Sequence, residues 1–260
     1  MTDQKFPSVF VSHGAPTIVL EDSPALTFWR NLGKQLGRPR SVLCISAHWG
    51  TDAPMVSAAA DPETIHDFYG FPEALYQLSY PAPGAPDLAR HAAELLSNAN
   101  LTCGVSPDRG LDHGTWIPLM MMFPDADVPV TQLSIQPALG PGAHLELGRA
   151  LAPLREEGVL VLASGGAVHN LQSFRPGSTE VSDWAQRFDD WLVSTAEAGD
   201  ADALVDYRNL SPDGAKAHPQ DEHYLPLLVA LGAGGEKAGG RVLHRGFMDG
   251  DLSMTALAFA

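Results

Sequence analysis

The chain has little of several things that usually announce a protein class. Of its 260 residues only two are cysteine, Cys44 and Cys103. Two thiols cannot build a disulfide scaffold, so a small secreted fold stapled by bridges is excluded. Basic residues are scarce: 16 Lys and Arg stand against 31 Asp and Glu, a formal charge of −15. Phosphate backbones and anionic lipid surfaces both require a basic face, so no nucleic-acid or membrane partner is expected. No apolar run is long enough to cross a bilayer, and Met1-Thr2-Asp3-Gln4-Lys5 shows no signal-peptide core. A cytoplasmic location is expected. Motifs of hydrolysis are missing as well. There is no Gly-x-Ser-x-Gly elbow and no His-Glu-x-x-His helix. The Gly165-Gly166 turn lacks both the Lys-Ser/Thr of a P-loop and the spacing of a dinucleotide fingerprint.

What remains is an apolar content of 45 % and a length suited to one large α/β domain. Phe6 to Ser12 reads as a strand ending at His13. Ser23 and Pro24 open a helix that Gly37 closes, with Leu26, Trp29 and Leu32 on its apolar face. Ser41 to Ser46 reads as a second strand ending near His48, with Cys44 as a small core hydrophobe. This start predicts a neighbouring parallel pair with a right-handed crossover. Thr51 to Pro86 carries six prolines and five aromatic residues and reads as a loop or lid. Helices are expected over Pro86 to Asn98, Gly114 to Met122, Ala143 to Glu157, Asp183 to Thr195 and Asp221 to Leu231. Strands are expected over Val128 to Ile135, Val159 to Ser164, Arg241 to Phe247 and Leu252 to Ala258. No internal repeat or linker divides the chain. The expected fold is a single α/β domain spanning residues 1–260, with a central mixed, mostly parallel sheet flanked by helices.

The chemistry concentrates in five histidines with Gly-rich or aromatic neighbours: His13-Gly14, His48-Trp49, His113-Gly114, His169-Asn170 and His223-Tyr224. Several directly follow β-branched apolar runs. The carboxyl end of a strand is where open α/β sheets bind ligands, and a metal ion is the usual reason to gather many imidazoles there. His223 is expected in the first turn of a helix, because Pro219 and Pro226 interrupt anything longer. Either Glu222 or His223 would complete a set of metal ligands, the former giving two histidines and a carboxylate, the latter three histidines. For Asp112-His113-Gly114 the plain alternative to a site role is that Asp112 caps the following helix while His113 is solvated; Asn170 reads as a group that orients its surroundings. Met120, Met121 and Met122 read as core filler. Most of His66, His91, His144, His218 and His244 are expected on the surface.

Together the segments His13-Gly14-Ala15-Pro16, Ser46-Ala47-His48-Trp49, His66-Asp67-Phe68-Tyr69-Gly70-Phe71-Pro72, Tyr80-Pro81-Ala82-Pro83-Gly84, Asp112-His113-Gly114, Gln132-Leu133-Ser134-Ile135, Val168-His169-Asn170 and His223-Tyr224-Leu225-Pro226-Leu227 resemble the DOPA-dioxygenase-like class III extradiol ring-cleavage enzymes. The matches run in order from about residue 7 to the C-terminus. The resemblance implies a metal held by His13, His48 and His223, with Glu222 turned away. It implies an acid–base role for His169, close enough to be a fourth ligand, and places His113 as a second polar group facing substrate. One Fe(II) or Zn(II) ion per chain is implied, with a small catechol-type diol such as DOPA or caffeate and dioxygen as co-substrates. The oligomeric state is left open. Two other functions fit three gathered histidines: a zinc-dependent hydrolase, and a non-catalytic metal-binding protein on the same scaffold.

Overall fold

Among the described residues the chain forms ten strands and ten helices, and eight of the strands join one sheet. The protein is described by a computed structural model covering residues 5–235 and 238–260. The strands are β1 (Ser8–Ser12), β2 (Ser41–Gly50), β3 (Met55–Ser57), β4 (Gly104–Ser106), β5 (Val130–Ile135), β6 (Val159–Gly165), β7 (Gly240–His244), β8 (Phe247–Met248), β9 (Leu252–Ser253) and β10 (Ala256–Phe259). The helices are α1 (Pro24–Leu36), α2 (Glu73–Tyr76), α3 (Pro86–Asn98), α4 (His113–Met122), α5 (Gly140–Leu151), α6 (Asp183–Glu197), α7 (Ala201–Val205), α8 (Tyr207–Leu210), α9 (Gly214–Ala217) and α10 (Leu225–Gly234).

The sheet order is β4-β3-β5-β2-β6-β1-β10-β7. Its centre, β5-β2-β6-β1, is parallel throughout, and the antiparallel pairs lie toward the two sides. The fold is therefore a single α/β domain with a mixed, mostly parallel sheet, as the sequence implies. Strand side chains alternate between faces, and the two faces carry separate cores. Phe10, Leu43, Ile45 and Val161 pack with residues of α3, α5, α6 and α10. Val9, Val11, Val42, Cys44 and Leu162 pack with α1 and α4. Every residue of β6 is buried, as expected for a strand covered on both sides.

Local signals place the first helix well. The Ser23 hydroxyl accepts the Leu26 N–H at 3.1 Å, Pro24 occupies the first turn, and Gly37 ends the helix with φ at 73°. Non-local pairing departs from the expected order. β1 and β2 are not neighbours, because β6 lies between them. A helix about 10 Å across covers roughly two strand spacings of about 4.8 Å, so the crossover through α1 leaves room for one strand. The segment after β2 is not a loose lid. It supplies β3 to the sheet, and Leu75 and Tyr80 are buried in the α1–α4 core. β4, at three residues, is too short to leave a pattern in the sequence. The expected helix from Ala143 splits into α5 and a 3-10 segment, Ala152–Glu157.

A candidate metal centre at the carboxyl ends of the strands

The five singled-out histidines come from five separate places and meet at one point. His13 directly follows β1. His48 lies inside β2, which runs past its last β6 partner to Gly50. His113 begins α4, His169 sits on the turn after β6, and His223 occupies the turn before α10. The His223 position corrects the sequence reading. Pro226 stands at the second position of α10, so regular helix starts at Leu225 and His223 precedes it.

The ring centroids of His13, His48 and His223 lie 4.9 Å (His13–His48), 5.2 Å (His13–His223) and 4.9 Å (His48–His223) apart. His113 is 3.9 Å from His48, and His169 stacks on His223 at 3.5 Å. The donor atoms form two adjoining groups, each mutually within 4.8 Å: His13, His48 and His113, and His169, Glu222 and His223. Glu222 thus does not turn away from the site. Its Oε1 lies 3.3 Å from His223 Nδ1.

Backbone constraints permit this crowding. Gly14 has φ of 66°, a conformation that side chains rarely adopt, and the Met248 and Met254 sulfurs fill the space where its Cβ would stand. A Cβ on Gly165 would lie 2.2 Å from the His223 carbonyl oxygen. The bare backbone at the end of β6 therefore lets the His223 turn come down onto the sheet.

A second ring of residues holds the imidazoles in place. Asp67 was unassigned in the sequence, although it lies in the His66-Asp67-Phe68 segment. Its carboxylate accepts from both the Nδ1 and the backbone N–H of His113 at 2.9 Å, and lies 3.5 Å from His48 Nδ1. Ser164 Oγ meets His13 Nδ1 at 3.0 Å. Asp112 does not cap α4 with its side chain. Its fully buried carboxylate instead accepts from Ser46 Oγ at 2.6 Å, Gln132 Nε2 at 2.7 Å and Arg109 Nη2 at 3.1 Å. This network ties β2, β5 and the start of α4 together. His113 is correspondingly buried rather than solvated. Asn170 does not orient the His169 ring. It caps the following 3-10 turn and donates to the Lys216 carbonyl. His144 and His218, expected outside, are both fully buried.

The electrostatics favour neutral rings. Burial first, then mutual repulsion with His48, His113 and His169, pushes His13 well below the usual histidine range. Burial and the charge of His113 bring His48 down to about 3, against the opposing pull of Asp67. His169 falls to about 4, again by burial and then by His113. Burial raises Asp67, but hydrogen bonds and charge from His113, with His48, more than reverse this and hold it at about 2. At neutral pH His13, His48, His169 and His223 are thus uncharged beside the ionised carboxylate of Asp67.

The donor set fits a metal. His13 Nε2 and His48 Nε2 face each other at 3.0 Å, so at most one can carry a hydrogen and at least one turns a lone pair inward. Neutral imidazole nitrogens beside oxygen donors suit Fe(II) or Zn(II). The aromatic wall is formed by Phe68, which meets His113 edge-on at 5.6 Å, with Phe71, Tyr76 and Trp116 behind it.

A sheet carrying a histidine-lined, aromatic-walled centre at its strand ends has the make-up of a metal-dependent α/β enzyme. Residues 7–259 match the family model described as the catalytic LigB subunit of aromatic ring-opening dioxygenase, and the chain belongs to that family. It is 43 % identical to a Portulaca grandiflora 4,5-DOPA dioxygenase extradiol, covering 97 % of this chain and 95 % of that one. It is 40 % identical to the Escherichia coli K12 protein of the same description, covering 99 % and 96 %. The crystal structure of an uncharacterized Escherichia coli K12 protein superposes with a TM-score of 0.85 at 36 % identity, covering 98 % of this chain and all of that one.

Proposed function

We propose that this protein cleaves a catechol-type diol beside its hydroxyl-bearing carbons, adding both atoms of dioxygen to give an open-chain semialdehyde acid. His13, His48 and His223 hold one non-haem ion, with His169 within reach as a fourth ligand. The observation that carries this reading is the convergence of imidazoles from five distant segments around one point, with those of His13, His113 and His223 buried. When bound, the ion, Fe(II) or Zn(II), supplies Lewis acidity and a meeting place for diol and dioxygen.

The protein's own groups do the rest. His169, neutral at pH 7, takes the proton from a phenol oxygen as the diol binds and returns it when the ring opens. His113, oriented by Asp67, presents its remaining nitrogen toward the reacting oxygens. Phe68 and its aromatic neighbours pack one side of the centre and limit water, which would compete for the reacting carbons.

Anaerobic reconstitution with Fe(II), and separately with Zn(II), tests this. Oxygen uptake would be followed on DOPA, caffeate and protocatechuate. Stoichiometric uptake with a yellow ring-opened product is expected for at least one diol in the Fe(II) form. Absence of uptake with every diol in both forms would overturn the proposal.

A further inference from the structure

We propose that His218 is a positioning residue for His169: a buried imidazole whose donated hydrogen bond holds the turn carrying the His169 ring. The inference rests on reading His169 as the acid–base group. It goes beyond that reading by assigning work to a histidine outside the centre.

His218 directly follows α9 and is fully buried. Its Nε2 lies 3.0 Å from the Ala167 carbonyl oxygen. A carbonyl only accepts, so Nε2 carries the hydrogen and donates. Nδ1 is then an acceptor, and it is buried without a hydrogen-bond partner among the described residues. The ring sits among Phe188, Tyr207 and Tyr224, at 5.5, 5.9 and 5.1 Å. An apolar side chain of similar size would fill that aromatic pocket without stranding a nitrogen. What the imidazole adds is the single bond to Ala167.

That bond falls where the chain needs it. Among the described residues, the turn over 165–170 has no helix or strand pairing beyond Gly165 apart from one bridge at Val168. It is tied down residue by residue. Gly166 N–H donates to the His223 carbonyl at 2.9 Å, and Ala167 N–H to Ser12 Oγ at 3.0 Å. His169 N–H donates to the Ala217 carbonyl at 3.0 Å, and Asn170 Nδ2 to the Lys216 carbonyl at 2.8 Å. The segment 216–218 is thus a cradle for the His169 turn, and His218 contributes its side-chain anchor. Burial keeps this ring neutral to about pH 3, so the donor persists across working pH.

The test compares His218→Phe, which keeps a ring and loses the donor, with His218→Gln, whose amide nitrogen reaches the place of Nε2. His218→Met is a second donor-less variant should the phenylalanine not fold. In the Fe(II) enzyme, turnover of His218→Phe is expected to fall about 10²-fold, the order caused by misplacing a reacting group by about 1 Å. KM and bound metal should stay within about twofold, and His218→Gln should recover most of the loss. In the metal-free protein, amide exchange over residues 166–170 should quicken at least about tenfold in His218→Phe and stay near wild type in His218→Gln. A His169→Ala, His218→Phe double variant should be no slower than His169→Ala alone. Unchanged turnover per folded molecule, unchanged exchange, or a double variant slower than His169→Ala would each overturn the proposal. If His169→Ala keeps full turnover, the acid–base reading fails and the proposal falls with it. If His169→Ala is slow and His218→Phe is not, the proposal alone fails.

Discussion

The imidazoles of His169 and His223 lie face to face, 3.5 Å between centroids and 6° from parallel. Protonating either ring places a charge against its neighbour. Burial, then the charge of His169, then that of His48, holds His223 well below the usual histidine range. His169 faces solvent more than its partner does, so it is the ring placed to exchange protons.

The two rings should therefore separate on mutation. His169→Ala is expected to lose about 10²–10⁴-fold in turnover while keeping most of its bound metal. His13→Ala, which removes a nitrogen from the group of His13, His48 and His113, should lose the metal itself. Metal content and single-turnover ring cleavage on both variants check this. Equal metal loss in the two would make His169 a structural ligand and pass the proton-transfer role to His113.

Asp67 fixes two rings at once, so its removal should act through both. In Asp67→Asn the side chain retains one oxygen, and one of the His48 and His113 contacts is lost. Outer carboxylates on metal-bound histidines typically contribute about 10–100-fold in affinity or activity. A loss of that size in metal affinity, read by competition with a chelator, is expected with little change in melting temperature. Wild-type affinity would mean that Asp112 and its partners suffice to hold this side.

Much of this arrangement is legible locally. Ser23, Pro24 and Gly37 mark α1 because capping and the loss of a backbone donor act within a few residues. The five gathered histidines stand out because each lies near a strand end or a helix start beside glycine, an aromatic residue or asparagine. The resemblance to a known family added their roles. What was not legible depends on distance in the chain. Asp67 reaches His113 across 46 residues, and Asp112 reaches Ser46 across 66. The placing of β6 between β1 and β2 is a choice among crossovers that no single segment encodes. The burial of His218 is set by α6, α8 and the His223 turn packing around it, and nothing in its own neighbours announces that.

Gly165 gives a backbone test of the site. A methyl group there would meet the His223 carbonyl carbon at 3.2 Å as well as its oxygen at 2.2 Å, and both are backbone atoms that cannot swing away. Gly165→Ala should push the His223 turn off the sheet. Overpacking of this kind costs about 1–3 kcal/mol. A lower melting temperature together with weakened metal binding is expected. Gly177→Ala, at an open position with positive φ, should lower stability through backbone strain alone and leave metal binding intact. Identical metal affinity in the two variants would show that the close approach at Gly165 does not set the position of His223.

The pH dependence of folding should carry the signature of His218. In the unfolded chain this histidine titrates near its ordinary value of 6.5, whereas burial holds it at about 3 in the folded protein. Between those values the unfolded state binds one more proton than the folded state. Stability contributed by the neutral buried ring is therefore present above pH 6.5 and lost progressively as pH falls toward 3. A full proton difference amounts to about 1.4 kcal/mol per pH unit. Glutamine at this position binds no proton in either state, so His218→Gln isolates the effect from the other histidines. In urea unfolding of the metal-free proteins, the stability of wild type relative to His218→Gln should be flat above about pH 7.5 and fall by roughly 1 kcal/mol per unit between about pH 5.5 and 4. A difference that stays constant across that range would mean that the ring takes up a proton in the folded protein as readily as in the unfolded chain. The closed aromatic pocket of Phe188, Tyr207 and Tyr224 around it would then have to open to water.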